Sequence, residues 1–259
     1  MTDDGEHYFT ALGEGRYAPT ELTQGAWQEE EQHVAPVIGL LVHALELAHP
    51  RDDVRWSRLS VDILGMIRRE EMLVTTQVLR PGRTIELLEA TVAIGGRPTV
   101  RLTGWRLAAG DTSEVAGVED EAMPAPDQVP AWQGMQQRWG GGFIRTLQFR
   151  AEAWRPGRNR VWVRTDLPLV GGEPRSETAE WVGLLDTANG IAVRTDPRAW
   201  MFPNVDLTLH LHRQPRGRWV GLNTRVSFGP DGAGVTSSVV CDEDGPVGRL
   251  QQSLTVRRL

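Results

Sequence analysis

The segment WVGLLDTANGIA, Trp181 to Ala192, has the periodicity of a buried helix. Trp181, Leu184, Leu185, Ala188, Ile191 and Ala192 stand at i, i+3, i+4, i+7, i+10 and i+11 and share one helical face. The other face carries Val182, Gly183, Asp186, Asn189 and Gly190. Gly183 and Gly190 flank Asp186 on a strip with almost no side-chain bulk, so another group can come close to that carboxylate.

A near copy, VIGLLVHALELA, occupies Val37 to Ala48. A shift of 144 positions lays Gly39 on Gly183, Leu40 on Leu184, Leu41 on Leu185, Ala44 on Ala188 and Ala48 on Ala192. The same shift lays Val61-Asp62 on Val205-Asp206 and Arg69 on Arg213. One offset that serves both a helical and an extended segment marks an internal duplication.

Working outward, each helix is followed by strand-like runs. In the first half these are Ser57 to Arg68, Met72 to Arg80, Thr84 to Ile94 and Thr99 to Leu107, divided by turn signals at Pro81-Gly82 and Gly95-Gly96. The helix before them is predicted from Pro36 to His49, closed by Pro50, and Thr20 to Trp27 is predicted to be an extended turn or strand. Residues 1–19 read as an entry segment with a short strand. In the second half, Val205, Leu207, Leu209 and Leu211 alternate with Asp206, Thr208, His210 and His212, and Asp244-Gly245 marks a hairpin. Between the halves, acidic residues, prolines and Gly140-Gly141-Gly142 predict a solvated crossover, which Trp132 and Trp139 anchor onto the core. The expected organisation is an N-terminal unit over 1–110, a linker over 111–142 and a C-terminal unit over 143–259.

Composition narrows the function classes. A net charge of -6 gives no basic surface for nucleic acid. No apolar run is long enough to span a bilayer, and MTDDGEHYFT lacks the regions of a signal peptide, so a cytoplasmic protein is expected. The single cysteine, Cys241, excludes an internal disulfide and a cysteine-built zinc site. His210 and His212 can point the same way from a strand, but no third ligand stands nearby, so a solvated or phosphate-facing strand face is the expectation. Ser237-Ser238 lies in no nucleophile-elbow context, which argues against a serine hydrolase.

A long buried helix wrapped by an antiparallel sheet, present twice in one chain, resembles the α+β double hotdog arrangement of acyl-CoA thioesterases. The strand that opens with Val205-Asp206 and ends in His212-Arg213 is similar to one in the acyl-CoA thioesterase II type, and Asp244-Gly245 with Gln252 to Arg257 is similar to that family's last hairpin. The resemblance implies that a carboxylate, a Thr or Ser on the next strand and a Gln activate water, which places those roles on Asp206, Ser227 and Gln252. Gln252 is followed here by Ser253-Leu254 where the family usually has Glu-Gly. GLLDTANGIA is also similar to the helix of single-hotdog thioesterases, whose Leu-x-Asp-x-Ala carboxylate would correspond to Asp186.

Thioester hydrolysis needs a carboxylate to take a proton from water and a backbone N–H to hold the oxyanion. Gly183 and Gly39 are candidates for the second task, because a glycine at a helix start lets a carbonyl approach. Arg213 is a candidate for coenzyme A phosphates, against an ordinary basic turn. Asp186 has Val42 as its counterpart, so only one half would carry a helix carboxylate; Asp206 has Asp62, and a carboxylate kept in both halves can instead be structural, paired with Arg213 and Arg69. No metal or redox cofactor is implied. The expected activity is hydrolysis of an acyl-CoA or related acyl thioester, in a homodimer or larger assembly. The rival is a catalytically silent hotdog that binds an acyl-CoA or another hydrophobic ligand; a hydratase is disfavoured because the sequence has no helix-start Asp and His pair of the kind that hydratase hotdogs show.

Overall fold

The computed structural model describes residues 6–259; the first five residues of the expected entry segment lie outside the described residues. Helix α1 (Val34–Ala48) is buried on every face from Val34 to Leu45, as an apolar helix must be when a sheet wraps it. His33 caps it, its Nδ1 accepting the Ala35 N–H at 3.2 Å. The remaining helices are short: α2 (Gly134–Arg138), α3 (Gly142–Arg145), α4 (Glu177–Val182) and α5 (Ala188–Ile191).

The first half contributes β1 (Phe9–Gly13), β2 (Arg16–Pro19), β3 (Val54–Ile63), β4 (Met72–Arg80), β5 (Ile85–Ile94) and β6 (Arg97–Ala108). The second contributes β7 (Gln148–Arg155), β8 (Arg158–Arg164), β9 (Val170–Gly171), β10 (Trp200–Met201), β11 (Asp206–Leu211), β12 (Val220–Phe228), β13 (Ala233–Asp242), β14 (Gly245–Thr255) and β15 (Arg257–Arg258). Thirteen strands form one sheet in the order β7-β8-β12-β13-β14-β11-β3-β6-β5-β4-β2-β1-β9, and β10 pairs with β15 apart from it. Gly95 and Gly96, at φ 56° and 76°, make the two-residue turn between β5 and β6, a conformation that side chains with a Cβ resist.

The two halves mirror each other in this order: β1-β2-β4-β5-β6-β3 corresponds to β7-β8-β12-β13-β14-β11, and the sheet continues through the β3–β11 pair. In that antiparallel pair Asp62 lies opposite Asp206. Gly39 also meets Gly183, where a Cβ on Gly39 would stand 3.1 Å from the Gly183 Cα and 2.8 Å from the Ala179 carbonyl oxygen. Both pairs are separated by the 144 positions of the sequence repeat. Equivalent residues that touch one another lie on a local two-fold axis, so the duplication is visible as geometry. The architecture is the α+β double hotdog.

Three expectations are corrected. The segment from Trp181 to Ala192 is not one helix: α4 stops at Val182, Leu185 to Thr187 make a 3-10 turn, and α5 resumes at Ala188. Gly183 closes α4 with its N–H on the Ala179 carbonyl at 2.9 Å, and the Thr187 hydroxyl bonds the Leu184 carbonyl at 2.8 Å. Apolar spacing persists because both pieces stay buried against the same core, and spacing alone does not report such a break. The crossover is solvated only in its first part; Val129, Met135 and Trp139 are buried, and α2 and α3 lie in this stretch and its continuation. Thr20 to Trp27, expected as an extended turn or strand, holds a 3-10 turn over Glu21–Thr23, capped by the Thr20 hydroxyl.

Candidate active site

The break after α4 turns Asp186 inward. Its side chain is 7 % exposed, and it borders a cavity of about 100 Å³ between the two units. One carboxylate oxygen, Oδ1, accepts two amide N–H groups: Asn204 Nδ2 at 2.7 Å and Gln252 Nε2 at 2.8 Å. The other, Oδ2, accepts no hydrogen bond from the described residues and faces His33 Nδ1 at 3.7 Å. Burial is the main influence on this carboxyl and raises its pKa to about 7, with the charge of Glu31 adding to the rise and the two amides opposing it.

His33 does not neutralise Asp186. Burial lowers the imidazole pKa to about 4, so the ring is neutral, and its Nδ1 already accepts the Ala35 N–H. The approach at 3.7 Å is therefore a polar contact and not an ion pair. A buried carboxyl with no cation beside it is what an acid–base group near neutral pH requires.

The walls come from both units and from the crossover. Trp27 and Trp139 meet edge to face with ring centroids 4.9 Å apart, and Met135 and Ile144 close the same side. Gly190 admits this lid, since a Cβ there would stand 2.5 Å from the Met135 Cε, and its carbonyl accepts the Trp139 indole N–H at 3.0 Å. The bare strip beside Asp186 is thus filled by α1 at Gly183 and by α2 at Gly190. At the start of α1, His33 N–H donates to the Thr23 carbonyl, Ala35 N–H to His33 Nδ1, and Pro36 has none. The N–H of Val34, a residue lining the cavity, has no protein acceptor among the described residues.

Of the residues singled out in the sequence, the structure brings Asp186 and Gln252 together and places the rest elsewhere. Asp206 stands on the outer face of the sheet, where its Oδ1 accepts the Ser253 N–H at 2.5 Å. It does not pair with Arg213, nor Asp62 with Arg69; Asp62 binds Arg101, and Arg69 binds Glu21. Ser227 is exposed, because strand alternation turns its neighbours Val226 and Phe228 toward the core instead. The inward hydroxyl next to Gln252 is Thr236, one strand later, directly across the β13–β14 pair. Arg213 clamps the β13–β14 turn through two bonds of 2.5 Å to Asp242 and one of 3.0 Å to the Gly245 carbonyl. Gly39 lies within α1 and the Gly183 N–H is taken by Ala179, so neither presents an N–H to a ligand. Asn204, His33 and Val34 escaped sequence reasoning, although Asn204 immediately precedes the Val205-Asp206 signal. Among the described residues no group of three His, Cys, Asp or Glu could hold a metal ion, and no helix is long and apolar enough to cross a membrane.

Comparison with known proteins bears on the fold and on the family. Solved structures of the same fold include a hot dog protein of unknown function from Alicyclobacillus acidocaldarius, 13 % identical with a TM-score of 0.75 over 95 % of both chains. A protein described as a thioesterase II from Thermobifida fusca is 17 % identical, with a TM-score of 0.73 over 100 % of this chain and 98 % of that one. An acyl-CoA thioesterase II from Mycobacterium marinum is 15 % identical, with a TM-score of 0.67 over 97 % and 95 %. None of the curated proteins compared with the chain matched it. Residues 23–107 match the model of the acyl-CoA thioesterase N-terminal domain and residues 119–256 that of the C-terminal domain, so the chain belongs to the acyl-CoA thioesterase family.

Proposed function

We propose that the protein hydrolyses an acyl thioester, as an acyl-CoA thioesterase, with Asp186 as the general base. The observation that carries this reading is the asymmetry of the Asp186 carboxylate, whose Oδ1 is held by Asn204 and Gln252 while Oδ2 is left toward the cavity. With a pKa of about 7 the group is ionised in a large fraction of molecules at neutral pH and takes a proton readily.

In this mechanism Oδ2 accepts a proton from water as the water oxygen attacks the thioester carbonyl carbon. The carbonyl π electrons move onto oxygen, and the free Val34 N–H at the positive end of α1 stabilises that oxyanion. Collapse breaks the carbon–sulfur bond, and the proton on Asp186 passes to the departing sulfur. The products are a carboxylic acid and a thiol, and Asp186 returns to its ionised form. Asn204 and Gln252 orient the carboxylate and position it; Asp206 and Ser227 take no part.

The test is free-thiol release from acyl-CoAs of different acyl groups by the wild type, Asp186→Asn and Asp206→Asn. Release that Asp186→Asn abolishes and Asp206→Asn retains supports the proposal. Equal rates in wild type and Asp186→Asn would overturn it.

A further inference from the structure

Beyond the cavity, one cleft collects cations that no carboxylate pairs. It lies on the far side of α2: Met135 and Trp139 face the cavity, whereas Arg138 faces the cleft. The segment after α5 divides in the same way, with Gly190 on the cavity side and Arg194 and Arg198 on the cleft side. The cleft encloses about 440 Å³. Among the described residues, none of these three arginines is in an ion pair.

Arg138 lies over the Trp154 ring at 4.7 Å from its centroid, and its Nη1 is buried without a hydrogen-bond partner. Trp154 stays 40 % exposed beneath that guanidinium, so the part of the indole that Arg138 leaves uncovered is open to the cleft. Arg194 has one protein acceptor, the Val226 carbonyl at a long 3.4 Å. The carboxylate of the cleft, Asp196, is engaged locally, its Oδ1 accepting the Arg198 backbone N–H at 2.9 Å. The other arginine-rich patch, on β8, β12 and β14, is partly neutralised from within, Asp120 binding Arg249 at 2.7 Å and Glu121 approaching Arg160 at 3.9 Å, and among the described residues no aromatic ring lines it beside the remaining Arg158 and Arg225.

Three guanidinium groups in a protein of net charge -6, set beside an open indole, match a ligand with several phosphate charges and a flat base. Guanidinium forks take phosphate oxygens in pairs, and an indole stacks on a purine. We propose that this cleft binds the phosphorylated adenine nucleotide of a CoA thioester whose acyl group occupies the Asp186 cavity. The second half of that statement rests on the thioesterase reading above. Helix α2 and the segment after α5 contribute residues to both sites, and a helix with its side chains is about 10 Å across. The pantetheine arm, roughly as long as an extended tetrapeptide at ~13 Å, is of the same order.

Calorimetric titration of the full chain with the 3′-phospho-ADP fragment of CoA tests the cleft without any turnover. The wild type is expected to bind it, more weakly as salt rises, and the double variant Arg194→Gln/Arg198→Gln to lose about tenfold or more in affinity. Trp154→Ala is expected to weaken binding as well. In turnover, the preference for an acyl-CoA over the matching acyl-pantetheine is expected to collapse in the double variant through KM. Equal affinity of wild type and double variant for the fragment, or hydrolysis of a carrier-protein thioester by a wild type with no affinity for the fragment, would overturn the assignment. Fragment binding that the substitutions abolish, in a protein that releases thiol from no substrate, would uphold the cleft and remove the hydrolase reading instead.

Discussion

Asp186 carries opposing consequences for activity and for stability. In the proposed mechanism its ionised form is the reactive one, so thiol release is expected to rise with pH through about 7 and then level, a profile read from kcat/KM against pH. Asn204→Ala removes one of the two amides that favour the ionised form, and it is expected to displace that rise to higher pH and to lower the rate at pH 7; an unmoved profile would exclude Asn204 as a positioning residue. Stability runs the other way. The pKa is raised from the ordinary 3.8 to about 7, so the stability this carboxyl contributes is full below pH 3.8 and is lost as pH rises through 7. The ionised form is then disfavoured by ~4 kcal/mol, an order-of-magnitude figure. Asp186→Asn keeps an oxygen for the two amides and never ionises, so above pH 7 it is expected to raise the Tm over the wild type, and at pH 4 to bring little gain. At this scale the sequence was legible where chemistry is unusual for its place: a carboxylate between glycines on a buried helix, and a glutamine on an apolar strand face. It misled at Asp206, whose alternation partner Leu207 shows the inward face, because Asp206 had the better motif match and Asn204, two residues earlier, had none.

Among the elements, the crossing of α1 and α4 depends on two glycines. A methyl group at Gly39 meets backbone at 2.8 Å and 3.1 Å, with no flexible side chain able to yield. Gly39→Ala is expected to destabilise by about 1–3 kcal/mol despite alanine's better helix propensity, read as a lower denaturation midpoint at constant slope. The spacing of Val37 to Ala48 was enough to predict that helix, since Pro50 supplies its stop. The same spacing over Trp181 to Ala192 did not reveal the break, which depends on what Gly183 packs against. Alternation located the strands for a similar reason: side-chain direction in a strand follows from residue parity, whereas a helical kink follows from distant neighbours. The crossover was legible as an anchor through Trp132 and Trp139, but its composition hid that Met135 and Trp139 close the cavity.

The whole molecule is a continuous sheet whose two halves share the β3–β11 pair and the α1–α4 contact. Cooperative unfolding is therefore expected: tryptophan fluorescence and far-UV circular dichroism should give coincident denaturant transitions, and separate transitions would show that the halves melt independently. The repeat of 144 positions announced this organisation before any element was assigned, because one offset satisfied a helix and a strand together. What it did not announce was that equivalent residues touch, Gly39 on Gly183 and Asp62 across from Asp206. Contacts of that kind are those of two identical subunits around a shared axis. In a homodimer every inherited change is made in both copies, so a substitution that abolishes one site abolishes the other. Joining the copies in one chain releases that constraint: Val42 stands where Asp186 has its counterpart, so a carboxylate at this position can be kept in one copy and given up in the other.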